Sequence, residues 1–234
     1  MTWIDRPLAP VRWRPTREPP PLTDSAVHLW RLTLGAAGPD PRTAQRDLAP
    51  AEIERAERMR HPRLRERYLR AQIGLRRVLA AYLGAHPGKL ILARGDHGKP
   101  YLPGDHGRLQ FNLTTTGDLA LVAVGIGEPL GVDCEPVRPR RDIHAIARRM
   151  FPPEDVENMV TVPESERLRV FHLAWTALEA DVKADGRGLF RRRDPGALAP
   201  IIGHCEPAPG HVAAVARVGL APPETWLGFV PTNH

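Results

Sequence analysis

The chain has 234 residues, 42% of them hydrophobic and 26% charged, enough to bury a sizeable core as one large domain or two small ones. Its net charge of +6 comes without zinc-finger spacing, an aromatic RNA-binding signature or a helix-turn-helix, so nucleic-acid binding is set aside in favour of a phosphorylated ligand or an acidic protein partner. No run of about 18 apolar residues predicts a membrane span, and the opening "MTWIDRPLAPVRWRP" lacks the apolar core of a signal peptide, which predicts a cytoplasmic protein. Cys134 and Cys205 make neither a disulfide framework nor a zinc site. All basic residues except Lys89, Lys99 and Lys183 and the histidines are arginine, a usage that weakens any argument from arginine number alone.

In chain order, residues 1–24 hold six prolines and no sustained period, which predicts an irregular arm. "VHLWRLTL" (27–34) alternates and is rich in β-formers, so it reads as a strand. "DLAPAEIERAERM" (47–59) opens on Asp and Pro and then turns helical. "PRLRERYLRAQIGLRRVLAAYLG" (62–84) is the longest helical pattern, with Leu64, Tyr68, Ile73, Leu75, Val78, Leu79 and Leu83 as its apolar stripe and Gly84 as its cap. "KLILAR" (89–94) predicts a strand, "GDHGKPYLPGDHG" (95–107) a loop decorated by His97 and His106, and "LQFNLT" (109–114) a strand. "LALVAVGIGEPLGVDCEPV" (119–137) predicts a hairpin turning near Gly127-Glu128-Pro129. "DIHAIARRMFPPEDVENMV" (142–160) reads as a helix interrupted at Pro152-Pro153, and "ERLRVFHLAWTALEADVKADG" (166–186) as a helix ending at glycine. "HVAAVARV" (211–218) and "TWLGFV" (225–230) close the chain as strands.

The order of strand, helices and strands occurs about twice. It divides the chain into a proline-rich arm (1–23), a first half (24–125) and a second half (126–234), all of the α+β class.

Two features carry chemistry. In "GVDCE", Asp133 and Glu135 lie two apart, so a strand turns both to one face and Cys134 to the other. Two adjacent carboxylates repel unless a proton or cation lies between them, and a hard divalent ion takes such oxygen ligands together with phosphate. In the last helix, His172, Thr176, Glu179 and Lys183 share one side, while Phe171, Ala174, Trp175, Leu178 and Val182 supply the apolar one. Glu179 and Lys183 can also be read as an ordinary surface pair.

"GVDCE" followed some forty residues later by "WTALEADVKADGRGL" resembles the signature of the 4'-phosphopantetheinyl transferases, a G-hydrophobic-D-x-E strand and a W-x-x-K-E-A/S-x-x-K helix. "GKPYL" (98–102) resembles the family's G-K-P loop, "FNLTTTG" (111–117) its F-N-hydrophobic-S-H-S strand end, and "RMRHPRLRERYLRAQIGLRRVLA" (58–80) the basic helix of its first half. The resemblance runs from about residue 47 to 190 and is to the larger, two-halved type that activates peptide and polyketide synthases.

It implies a pseudo-dimeric α+β fold with the site between two similar halves of a monomeric chain. It further implies transfer of the phosphopantetheine arm of coenzyme A to a serine of an acyl or peptidyl carrier protein, an acidic helical partner. Asp133, Glu135 and Glu179 would hold Mg²⁺, or Mn²⁺, at the diphosphate. Glu179 and Lys183 would be catalytic, Glu179 accepting the serine proton. Arg55, Arg67, Lys99, Pro100, Thr114 and Thr115 would bind the nucleotide end, although on a solvated helix face Arg55 and Arg67 need no ligand. The docking surface would lie near the cleft, with "FPPEDVENMV" as one edge, whose Phe151, Val156 and Met159 read equally as core.

Two positions depart from the family. Its lysine before the helix glutamate is Leu178, on the apolar stripe, and its S-H-S histidine is Thr115. Leu178 cannot touch a phosphate and Thr115 can donate one hydrogen bond but brings no positive charge; each lost basic contact is an effect of roughly 1–3 kcal/mol. An active transferase, a non-catalytic homologue that binds a carrier protein or coenzyme A in a biosynthetic cluster, and a related site serving other carrier-bound chemistry all accommodate these residues.

Overall fold

Residues 8–232 are described by a computed structural model, and long sequence periods become regular elements in it. The strands are β1 (Ala9–Pro10), β2 (Trp13–Thr16), β3 (His28–Thr33), β4 (Ala93–Arg94), β5 (Pro100–Tyr101), β6 (Leu109–Thr116), β7 (Leu119–Ile126), β8 (Leu130–Pro136), β9 (Ile201–Glu206), β10 (His211–Arg217) and β11 (Leu227–Pro231). The helices are α1 (Ala44–Asp47), α2 (Pro50–Glu57), α3 (Pro62–Leu83), α4 (Ile143–Met150), α5 (Pro153–Thr161) and α6 (Glu164–Asp185). The class is α+β.

Helix ends follow local chemistry. α3 starts on a proline, whose missing N–H costs nothing there, and stops where Gly84 turns left-handed at φ 58°. The helix read over 47–59 is α2, which starts on Pro50 with Ala49 held extended before it and follows the short α1 that ends at Asp47; Glu52 accepts the Ala49 N–H at 2.9 Å. Pro152-Pro153 separates α4 from α5 as expected.

Sheet pairing departs further from the sequence reading. β7 is bonded on both edges, to β3 and to β6, so no edge remains for β8, which pairs antiparallel with β10 instead. Residues 119–137 are therefore two strands of two different sheets, not a hairpin. The strand expected over 89–94 shrinks to Ala93–Arg94, because Leu90 and Leu92 turn into the core beneath α3. β9 lies outside the segments read as strands, and two short strands, β1 and β2, lie in the stretch read as an irregular arm.

The five-stranded sheet has the order β2-β11-β3-β7-β6 and the four-stranded sheet β1-β9-β10-β8. Within them the same unit recurs, a strand, a helix and two strands, the last of which pairs in the middle: β3, α3, β6, β7 and then β8, α6, β9, β10. α3 covers one sheet through Leu75, Val78 and Leu79 against Trp30, Phe111 and Val122. The two sheets meet through Leu29, Leu121 and Ala123 against Val132, Cys134, Cys205 and Val215. Buried Arg217 of β10 donates to the carbonyls of Asp24, Ala26 and Ile126, fastening the entry of β3 and the β7–β8 crossing together.

α6 lies on the four-stranded sheet chiefly through alanines, Ala180 and Ala184 against Ala214 and Ala216, with Ile202 of β9 beside them. The closest approach is at Gly131, where a Cβ would come within 2.0 Å of the Ala180 carbonyl oxygen and 2.5 Å of the Ala184 nitrogen.

Gly131→Ala is expected to cost at least the roughly 1–3 kcal/mol of an over-packed core, whereas Gly84→Ala, which meets no atom within 4 Å, costs only its left-handed strain of about 1 kcal/mol. Thermal unfolding of the two variants checks the order. Burial lowers the pKa of His28 and His204 from 6.5 to about 4. Between those values the folded chain binds fewer protons than the unfolded chain, so stability present at neutral pH is lost as pH falls from 6.5 toward 4. The urea midpoint is expected to drop across that window, and to drop less in His204→Gln.

Candidate active site

The contact at Gly131 fixes what stands above it. With the α6 backbone seated on β8, Lys183 reaches over the strand and places Nζ 2.6 Å from Asp133 Oδ1 and 3.7 Å from Glu179 Oε2. From the other side, Thr114 of β6 donates to the same Asp133 oxygen at 3.0 Å, and the Asn112 side-chain carbonyl accepts the Val132 N–H at 2.9 Å. β6 and β8 are edge strands of different sheets, so these side-chain bonds close the seam where the sheets meet.

Alternation does what the sequence reading expected of "GVDCE". Cys134 points into the inter-sheet core, where burial raises its thiol pKa, and Asp133 faces α6. Asp133 is buried and its Oδ2 has no partner. Glu135 and Glu179 are half-buried. Burial pushes both carboxyls above their ordinary range, and the negative charge of Asp133 pushes the same way. Asp133 and Glu179 thus share one ammonium, with Glu135 two residues along β8 from Asp133.

Among the described residues no three His, Cys, Asp or Glu side chains converge closely enough as they stand to hold a metal ion. The donor chemistry nonetheless suits one. All three side chains offer oxygen, one buried oxygen lacks a partner, and the two raised carboxyls would be relieved by a cation.

Beside this cluster, α2, α3 and β6 enclose a cleft of about 1130 Å³. Arg55, Arg67, Pro100 and Thr115 line it. Thr114 does not, because alternation along β6 turns it to Asp133. Arg67 is bonded at 2.7 Å to Asp118, whose carboxyl it holds below the usual range. Arg55 stacks on Tyr68, its guanidinium carbon 5.5 Å from the ring centroid. Lys99 lies deeper: its ammonium donates to the carbonyls of Leu130 at 3.0 Å and Ala184 at 2.5 Å, and burial lowers its pKa to about 8. It clamps the 95–107 loop between the start of β8 and the last turn of α6.

Other side chains of the cleft and helix were not legible beforehand. Leu64 and Tyr68, read as apolar stripe, line the cleft, and the buried Tyr68 hydroxyl has no partner. Arg94 lines it as well. His172 and Thr176, grouped in sequence with Glu179 and Lys183, are buried; Thr176 bonds back to the carbonyls of His172 and Leu173, and His172 Nδ1 lies 2.8 Å from the Leu168 carbonyl. Phe151 and Met159 are core. His97 lies 3.0 Å from an Arg191 nitrogen.

An acidic cluster beside an arginine-walled cleft is the arrangement of an enzyme that handles phosphoryl groups. The chain matches the 4'-phosphopantetheinyl transferase superfamily over residues 129–211, the span that holds Asp133, Glu135, Glu179 and Lys183. It is 34% identical over 232 residues to the 4'-phosphopantetheinyl transferase HetI of Nostoc sp. (strain PCC 7120), covering 95% of this chain and 90% of that protein. It is 28% identical over 183 residues to a phosphopantetheinyl transferase of Thraustochytrium sp., covering 70% and 62%. It is 24% identical over 142 residues to the 4'-phosphopantetheinyl transferase Sfp of Bacillus subtilis, covering 61% and 62%. The chain belongs to the 4'-phosphopantetheinyl transferase superfamily.

Thr114→Val removes a donor from a buried carboxylate and is expected to destabilise the fold by about 1.5–3 kcal/mol. Urea unfolding measures the loss, and a double-mutant cycle with Asp133→Asn is expected to show most of it as coupling.

Proposed function

We propose that the chain moves the phosphopantetheine arm of coenzyme A onto a serine of an acyl or peptidyl carrier domain and releases adenosine 3',5'-bisphosphate. The observation that supports this most is the meeting of Asp133, Glu179 and Lys183 at the seam between two sheets, next to a basic cleft large enough for a nucleotide. Family membership and the full-length likeness to HetI support it independently.

In this reading Arg55, Arg67 and Thr115 hold the nucleotide end along the cleft, with Pro100 beneath it. Lys99 and Thr114 position the loop and Asp133. Asp133, Glu135 and Glu179 would hold a magnesium or manganese ion, which when bound neutralises charge on the diphosphate. Glu179 accepts the serine proton as the serine oxygen bonds to the phosphorus of the arm. The P–O bond to the nucleotide breaks, and its electron pair leaves on the adenosine bisphosphate. A carboxyl whose pKa burial has raised is a stronger base for that transfer than an exposed one. Lys183 stabilises the charge that develops on the phosphoryl oxygens.

The +6 chain suits an acidic carrier by electrostatic steering. The reading also takes the repeated unit as two halves, 24–125 and 126–234, of a cytoplasmic pseudo-dimer that acts as a monomer, with residues 1–23 as an arm and β11 returning to the first sheet. It assigns no nucleic acid and no membrane partner; among the described residues no helix is long and apolar enough to cross a membrane.

Leu178 favours a second reading. It packs half-buried with Trp175 in the α4–α6 apolar cluster and brings no charge to a phosphate, as a binding-only homologue would tolerate.

Intact-mass measurement decides between them. With coenzyme A, Mg²⁺ and apo carrier proteins, the carrier is expected to gain the phosphopantetheine mass, and EDTA to prevent it. Glu179→Gln is expected to slow transfer more than about 100-fold at an unchanged melting temperature; an unaltered rate removes Glu179 from the chemistry. If no carrier gains mass while a known transferase modifies the same set, the binding-only reading stands.

A further inference from the structure

Position 178 leaves the carboxylate cluster without a cation on the side of α6 that precedes Glu179, and a different residue stands there. Arg140, on the connection that leaves β8, lays its guanidinium over the Trp175 ring with its central carbon 4.9 Å from the ring centroid. Trp175 is one helical turn before Glu179 and cannot swing freely. The ring also stacks on Phe171 at 6.2 Å and 14°, and Phe171 packs in turn on Phe151 at 5.4 Å. The tryptophan is therefore a fixed platform, and the guanidinium on it keeps an orientation that an exposed arginine otherwise lacks.

Arg140 is exposed and, among the described residues, makes no hydrogen bond or ion pair, so its N–H donors face solvent. Arg140 follows Glu135 by five residues, and the ring it lies on precedes Glu179 by one helical turn, which places the guanidinium at the rim of the acidic cluster. Two other arginines lie on rings without a hydrogen bond or ion pair among the described residues, Arg55 on Tyr68 in the cleft and Arg149 on Phe190. Of the three, Arg140 is the one whose ring stands on α6, one turn before Glu179.

We propose that Arg140, presented on Trp175, is a diphosphate-binding residue that supplies the cation Leu178 does not. The assignment rests on the proposed transferase reading. A planar guanidinium with free N–H groups donates to two phosphoryl oxygens at once, which a lysine in its place does not reproduce.

The test compares Arg140→Ala, Arg140→Lys and Arg141→Ala, the last an exposed arginine of the same segment that serves as a charge control. Calorimetry gives the Kd for coenzyme A with Mg²⁺ present, and the mass assay gives kcat and KM. Arg140→Ala is expected to raise Kd and KM for coenzyme A at least tenfold, with Arg140→Lys intermediate and Arg141→Ala within twofold of the parent. Adding Leu178→Lys to Arg140→Ala is expected to recover most of the loss. An Arg140→Ala protein within twofold of the parent overturns the assignment. So does an equal loss in Arg141→Ala, which would mean bulk charge, or a change confined to KM for the carrier, which would mean a docking contact. A parent chain that neither binds coenzyme A nor transfers its arm overturns the transferase reading itself. A parent that binds without transfer still lets the Kd comparison judge Arg140.

Discussion

The absence of one side chain sets the rest of this structure. At Gly131 the α6 backbone rests on β8 with no room for a Cβ, and alanines continue the contact along the helix. Only at that separation does Lys183 reach Asp133 while Glu179 stays within 3.7 Å of the same ammonium. A larger residue would lift the helix and scatter acids that have no common support, since Asp133 and Glu135 ride on the strand and Glu179 on the helix. Close packing of small residues is usually a matter of stability; here it is also what defines the distance between functional groups.

Around that contact, buried cations act as fasteners. Lys99 ties the 95–107 loop to both β8 and α6, Arg217 joins β10 to the sheet crossing, and Arg76 meets Glu52 beneath the cleft. Each satisfies carbonyls or a carboxylate that burial would otherwise leave costly. The same residue type therefore serves two ends in this chain. Arginines and a lysine with several backbone partners hold the frame, while others, such as Arg55 and Arg140, lie on aromatic rings with no hydrogen bond or ion pair among the described residues.

The electrostatics divide along the seam. On the α6 side Asp133 and Glu179 share one ammonium, and burial together with the charge of Asp133 raises the pKa values of Glu135 and Glu179. On the α3 side the charged side chains of the cleft wall are arginines, apart from Glu52. In the proposed reading a ligand with phosphates at both ends would span this boundary, its nucleotide end against arginines and its diphosphate against the acids and their shared cation. Leu178 and Thr115 bring no positive charge to it, and Arg140 on Trp175 is the neighbouring cation proposed to take that place.

Local chemistry alone determined a good part of this protein. Helical period, proline and glycine located α3, the α4–α5 break and the end of α6, because caps and periodic stripes depend on neighbours a few residues away. Strand alternation placed Asp133 and Cys134 on opposite faces, and the spacing of "GVDCE" and "WTALEADVK" pointed to the right family. Tertiary structure decided what pairs with what. β7 had both edges occupied, so β8 crossed to β10; Leu90 and Leu92 found more to bury under α3 than a strand offered; and Thr114 and Thr115, adjacent in sequence, went to the carboxylate cluster and the cleft respectively. Lys99 read as a phosphate ligand by its motif, yet its ammonium meets carbonyls contributed by residues 31 and 85 positions away. Edge availability, burial and long-range hydrogen bonding are settled only when distant segments compete for the same neighbours, and no window of local sequence contains that competition.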